Sequence, residues 1–226
     1  MNKFVLLGPP GAGKSTQADL LAQTDRLVRI SVGDIIRWNI QNHTKLAARI
    51  RRFTSVGLLV PDDIVEEVVR ARLQQHDWNF GFVLDGYPAT AAQTDFLLET
   101  YDVDGVVLLQ VSDDLLTSRI GEPLSCEACG FDFHMIHDEA RAETICALCG
   151  STLIVRRDKS ADVAGQRLRE YKTKTAPVID LFRQRALLVS IDGSLPTEEI
   201  HHRIRAELGL GTEAMRAKLR SGDLSR

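Results

Sequence analysis

The chain has no long hydrophobic run. Its longest apolar stretches are about six residues, against the roughly 20 that a membrane-spanning helix needs. Strong charge of one sign is missing as well: 28 Lys and Arg face 31 Asp and Glu, a net of −3. That balance argues against non-specific nucleic-acid binding, which draws on a basic surface. The sequence holds no internal repeat and no low-complexity tract. After Lys3 the first apolar stretch is brief and runs into Gly and Pro, without the long apolar region of a secretory signal. The expectation is a cytoplasmic protein with neither a membrane nor a nucleic-acid partner, and nothing demands more than a monomer. Cysteine is scarce, four in 226 residues. In that compartment four thiols point to metal or catalysis before disulfides. The length suffices for one large domain, or one domain with insertions.

Short apolar runs alternate with longer amphipathic stretches. Strand candidates are "FVLL" (4–7), "GFVLD" (81–85), "GVVLLQV" (105–111) and "ALLVSID" (186–192). Helical patterns lie between them, at 14–23, 61–75, 90–101 and 113–120. Strands separated by helices predict an α/β protein with a parallel sheet covered on both faces. Right-handed crossovers then gather loops and ligands at the carboxyl ends of the strands. Two stretches break the alternation and read as insertions. Residues 31–60 hold two helical stretches, "DIIRWNIQN" and "KLAARIRRF", with no strand between, and 122–159 carry all four cysteines with little periodicity. The core is expected over 1–30, 61–121 and 160–211, followed by a polar tail, 212–226.

Residues 8–15, "GPPGAGKS", match G-x-x-x-x-G-K-[ST] between a predicted strand and a predicted helix. Gly11, Ala12 and Gly13 would turn backbone N–H groups toward phosphate oxygens, and the helix N-terminus adds positive partial charge. Lys14 would reach the terminal phosphates, and the hydroxyl of Ser15 or Thr16 would meet Mg²⁺. A glycine-rich turn without a ligand would account for the glycines, but not for the lysine and hydroxyls together. Asp85 ends a strand that can lie beside the first, where an acid commonly holds Mg²⁺ through water.

Cys126-x-x-Cys129 and Cys146-x-x-Cys149 are sixteen residues apart, a spacing of closed tetrahedral zinc sites. Four thiolates leave no open position, so the Zn²⁺ would be structural and would fold a flap too poor in apolar residues to hold itself.

With these motifs in order, the sequence over residues 1–208 resembles the adenylate kinases, within the nucleoside monophosphate kinases. "ISVGDIIR" (30–37), "GLLVPDDIV" (57–65) and "GFVLDGYPATAAQ" (81–93) are similar to the family's acceptor motifs, and "RRDKSADVAGQRLREYKTKTAPVIDLF" (156–182) to the segment after its lid. The resemblance implies a doubly wound sheet with an acceptor flap at 31–60 and a zinc-bearing lid at 122–159. It implies transfer of the γ-phosphoryl of ATP to a nucleoside monophosphate. Arg37 would hold the acceptor phosphate, and Gln93 would read the adenine edge. Val32, Leu58, Val60 and Gly86 would line the acceptor site. Arg119, Arg156 and Arg167 would surround the transferring group, where planar guanidinium forks suit phosphate oxygens.

The sequence departs from the family at telling positions. Ala89 stands where the family has an arginine that clamps the acceptor phosphate, and Pro123 where it has a lid arginine. Val32 replaces a threonine, Ser15 a glycine and Lys159 an acid. Arg51, Arg52 and Arg157 are nearby cations that could substitute for the lost clamp. The lost contacts leave three outcomes open: a slow adenylate kinase, a kinase of the same fold with a changed acceptor, or a weakly catalytic nucleotide-binding protein.

The cysteine spacing makes a direct prediction. Elemental analysis finds about one zinc per chain, and a strong chelator lowers the melting temperature by about 5 °C or more. No bound metal together with an unchanged melting temperature would refute the zinc reading.

Overall fold

A computed structural model describes residues 2–119, 124–126, 132–133, 151–155 and 161–210. The strands are β1 (Lys3–Leu7), β2 (Val28–Ser31), β3 (Phe82–Asp85), β4 (Gly105–Gln110), β5 (Leu124–Cys126), β6 (Asp132–Phe133), β7 (Leu153–Val155) and β8 (Leu188–Asp192). The helices are α1 (Lys14–Asp25), α2 (Val32–Gln41), α3 (Ala47–Thr54), α4 (Asp62–Gln74), α5 (Ala91–Thr100), α6 (Asp113–Arg119), α7 (Ala161–Glu170), α8 (Ala176–Gln184) and α9 (Thr197–Glu207). A π-helical turn, Tyr171–Thr175, joins α7 to α8.

Five strands form a parallel sheet in the order β2-β3-β1-β4-β8. The connection out of β1 travels to one flank of this sheet, and the connection out of β3 to the other. A crevice therefore opens between the carboxyl ends of these two neighbours, where open α/β sheets bind ligands. Leu6 on β1 is the register partner of Asp85 on β3, so the loop after β1 starts beside that acid. A separate antiparallel sheet, β6-β5-β7, lies within the expected lid.

The pleat explains why the central strands read as unbroken apolar runs. Val5 and Leu7 pack on one face with Ile30, Leu84, Val106 and Phe182. Phe4 and Leu6 pack on the other with Leu21, Val83, Val107, Leu109 and Ile204. Each fully buried Leu, Val or Phe contributes about 1.5–3 kcal/mol, so both faces must be covered.

The sequence reading missed one sheet strand. β2 is only Val-Arg-Ile-Ser, its first two residues half-buried, and neither length nor alternation marks it. It is ordered by β3, with Ile30 opposite Leu84 and Ser31 opposite Asp85.

The last helix fastens the first. Arg205 donates to both carboxylate oxygens of Asp25 at 3.0–3.2 Å, and Gln17 Nε2 donates to the Thr197 carbonyl at 2.9 Å. Asp25 closes α1 and is mostly buried. Among the described residues no helix is long and apolar enough to cross a membrane.

Replacing Asp25 with Ala leaves Arg205 without its bidentate partner. Urea denaturation is expected to give a loss of about 1.5–3 kcal/mol, the range for hydrogen bonds to charged groups. A loss under about 0.5 kcal/mol would mean that the α1–α9 clasp is a surface pair.

Candidate active site

The phosphate loop runs from the end of β1 to the start of α1. Gly8, Gly11 and Gly13 have φ of 147°, 83° and 90°, a region that favours glycine. Gly13 caps α1 with no side-chain hydrogen bond. The first turn is thus free of a competing cap and open to an anion. Ala12 is buried among the apolar residues behind the loop and fixes its base. Lys14 Nζ donates to the Gly8 and Pro9 carbonyls at 2.8 Å each, which holds the ammonium over the loop. Ser15 and Thr16 are half-buried in the first turn.

Asp85 is 4 % exposed, and its Oδ2 accepts from Arg29 Nη2 at 2.7 Å. Arg29 also pairs with Asp34 at 3.0 Å and Asp19 at 3.4 Å. Burial raises the Asp19 pKa above the usual carboxylate value; Arg29 opposes the rise and Asp85 adds to it. Asp34 pairs in turn with Arg37. Ser31 caps α2 by accepting from the Asp34 amide at 3.2 Å, which sets Asp34 in the first turn and Arg37 one turn on.

A cavity of about 770 Å³ opens beside the loop. Lys14 and Gly8 line one wall. Val32 and Arg37 come from α2, and Leu58 and Val60 from the segment between α3 and α4. Gly86, Ala89 and Gln93 come from the turn after β3, and Arg167 from α7. Eight of the expected site residues therefore share one cavity, spread over 154 positions of sequence between Lys14 and Arg167. Arg51 lines it too, with Nη2 donating to the Ile40 carbonyl at 3.2 Å; Arg52 does not. The side chains of Arg119 and Cys126 lie outside the described residues, as do Pro123, Cys129, Cys146, Cys149, Arg156, Arg157, Lys159 and the tail 212–226.

Gln93 sits at the cavity wall, but its amide is engaged within the protein. Its Oε1 accepts from the Ala89 amide at 2.8 Å, and its Nε2 donates to Asp62 Oδ1 at 2.7 Å. Thr90 donates to the same Asp62 oxygen at 3.0 Å. Tyr87, whose phenol is pushed up chiefly by burial, donates to the Gln93 carbonyl at 3.1 Å. Thr175 donates to the Ala89 carbonyl at 2.9 Å. The turn carrying Ala89 is thereby held from both sides. Tyr171, at the start of the π-helical turn, also lines the cavity, and burial raises its phenol pKa.

Sequence reasoning passed over Arg29, Asp19, Asp62, Tyr171 and Thr175. For Asp34 a signal existed, since it lies three residues before Arg37 on one helix face. Arg29 had none, because its partner Asp85 is 56 positions away.

The parallel sheet, the glycine-turned loop and the acid abreast of it define a nucleotide-binding α/β protein of the phosphate-loop class. A family model described as adenylate kinase matches residues 6–187, and the chain belongs to the adenylate kinase family. An adenylate kinase of Clostridium acetobutylicum is 36 % identical over 212 residues, spanning 92 % of this chain and 99 % of the relative. One from Caldicellulosiruptor saccharolyticus is 35 % identical over 213 residues, with the same coverage. One from Methanosarcina barkeri is 36 % identical over 210 residues, spanning 91 % of this chain and 97 % of the relative.

Two loop glycines separate clash from strain. A Cβ on Gly8 would meet the Leu109 carbonyl oxygen at 2.8 Å, whereas one on Gly13 would meet nothing within 4 Å. Gly13→Ala should cost about 1–2 kcal/mol, the left-handed penalty alone. Gly8→Ala should cost measurably more in the same denaturation series; equal costs would contradict the close packing of loop and sheet.

Proposed function

We propose that the protein is an ATP-dependent nucleoside monophosphate kinase that moves the γ-phosphoryl of ATP to AMP, at a rate reduced by the missing arginine at position 89. The observation that carries this reading is the shared cavity: Lys14 of the phosphate loop, Arg37 on the acceptor side and Arg167 all line it. In the reaction an acceptor phosphate oxygen attacks the γ-phosphorus. The bond to the β–γ bridging oxygen breaks, and two ADP result. Such transfer needs positioning and dispersed positive charge more than covalent help. Lys14 and the loop amides would hold the donor phosphates, Arg37 the acceptor phosphate, and Arg167, with Arg119 and Arg156, the group in flight.

Asp85 fits a hard divalent cation, being a carboxylate at the end of β3 beside the loop. Among the described residues no cluster of three or more His, Cys, Asp or Glu forms a metal cage. Magnesium at such sites takes one or two carboxylates, with phosphates and water supplying the rest. When bound it would neutralise charge on the phosphates. We also read Cys126, Cys129, Cys146 and Cys149 as a structural zinc site, on their spacing. We further read the protein as cytoplasmic and acting on small nucleotides, with nothing in its sequence that demands more than a monomer.

A second reading is favoured by one observation. Gln93 spends its amide on Ala89 and Asp62, while Arg51, Thr54 and Ser55 extend the polar lining of the cavity. Those features suit an acceptor other than AMP.

A phosphotransfer assay with ATP against a panel of monophosphates decides between them. AMP should be phosphorylated, and Lys14→Met should lower kcat by about a hundredfold or more, as loss of a phosphate-stabilising cation does. Ala89→Arg should raise kcat/KM for AMP by about tenfold or more, equivalent to ~1.4 kcal/mol of transition-state binding. Turnover of another monophosphate with none of AMP would replace the first reading by the second. Absence of transfer to any acceptor would overturn both.

A further inference from the structure

Arg29 binds three carboxylates that belong to three different parts of the site. Asp19 rides on the helix that begins at the phosphate loop, Asp34 on the first helix of the acceptor side, and Asp85 ends the central strand β3. Because Asp34 also holds Arg37, charges alternate without a break: Arg37, Asp34, Arg29, Asp85. One end of this chain lines the acceptor cavity. The other is the buried acid beside the phosphate loop. The Nε of Arg29 is buried and has no hydrogen-bond partner, so the guanidinium is held only through its two terminal nitrogens.

This arrangement places two groups in competition. While Arg29 holds Asp85 at 2.7 Å, one of the two oxygens that would face a cation is engaged. Asp34 divides its own charge between Arg37 and Arg29 through different oxygens, so each cation weakens its hold on the other. An acceptor phosphate carries more charge than a carboxylate and accepts a bidentate guanidinium well. It would draw Arg37 off the half-exposed Asp34. The full charge of Asp34, reinforced by Asp19, then acts on Arg29 and pulls it away from Asp85.

We propose that Arg29 is a positioning residue that couples the two ends of the site, so that a nucleoside monophosphate phosphate on Arg37 transfers Arg29 from Asp85 to Asp34 and frees Asp85 for a divalent cation. This rests on the kinase reading above and adds an order of events to it. The cation-binding acid is engaged until an acceptor is present, which disfavours loss of the phosphoryl group to water in the half-filled enzyme. A purely structural Arg29, neutralising a buried carboxylate, would give no such coupling.

The test uses Mn²⁺, whose free concentration is read by electron paramagnetic resonance, on the full chain with a non-hydrolysable ATP analogue. In the unaltered protein, AMP should tighten Mn²⁺ binding by about fivefold or more, the lower end of ordinary coupling. By reciprocity Mn²⁺ should tighten AMP by the same factor in calorimetry. In Arg29→Gln, Mn²⁺ should bind tightly without AMP, and AMP should add less than about twofold. Arg29→Lys, which keeps the charge but lacks the planar fork that reaches Asp34 and Asp85 through separate nitrogens, should also lose the coupling. Melting curves report whether each variant folds. Should Arg29→Gln fail to fold, Asp34→Asn replaces it, and there Mn²⁺ binding should stay weak with AMP present. Unchanged Mn²⁺ affinity on adding AMP to the unaltered protein, or a coupling that survives in Arg29→Gln, overturns the proposal. If calorimetry shows the analogue and AMP both binding without coupling, the proposal alone falls; if AMP does not bind, the AMP reading falls and takes it along.

Discussion

The site depends on the parallel pairing of β1 with β3. That pairing places Leu6 across from Asp85, so the strand that launches the phosphate loop and the strand that delivers the acid end at the same height. Slipping a strand by one residue would turn every side chain to the opposite face. It would send Asp85 into one of the two apolar layers. Both faces of β1 are apolar, Val5 and Leu7 on one and Phe4 and Leu6 on the other, so it is the polar end of β3, Asp85, that would suffer from such a slip. The loop needs only the glycine torsions to finish the turn.

The turn after β3 is held by hydrogen bonds in place of charge. Ala89 brings no cation, yet its backbone is held at the amide by Gln93 and at the carbonyl by Thr175. Asp62 gathers Gln93 and Thr90 on one oxygen. The turn is therefore firm even though its side chain is a methyl group. The cations facing the cavity are Lys14, Arg37, Arg51 and Arg167 among the described residues. Arg51 comes from α3, whereas Ala89 lies in the turn after β3.

Much of this was legible in the sequence where the signal is local. The loop is a run of eight residues with its strand before and its helix after, and the parallel α/β architecture followed from alternation alone. Val32, Arg37, Leu58, Val60, Gly86 and Gln93, expected together through resemblance to a family, line one cavity. β2 was not, because four residues with an arginine among them carry no period; the neighbouring strand makes it a strand. The ionic chain through Arg29 was not, since its link to Asp85 spans 56 positions that the pairing of β2 with β3 brings together. Gln93 shows a further limit. Resemblance to a family assigned it a base edge, and it does line the cavity; its partners within the protein, Ala89 and Asp62, depend on how the turn after β3 closes.

The clasp between α1 and α9 bears on how the protein is made. Gln17 and Asp25 find their partners 180 positions later. The helix behind the phosphate loop packs on the sheet through Ala18 and Leu21, yet its clasp to α9 cannot close until α9 has been made. Contacts so distant in sequence are slow to form. The share of the first helix's stability that rests on this clasp therefore arrives late in translation, after the sheet strands it packs on.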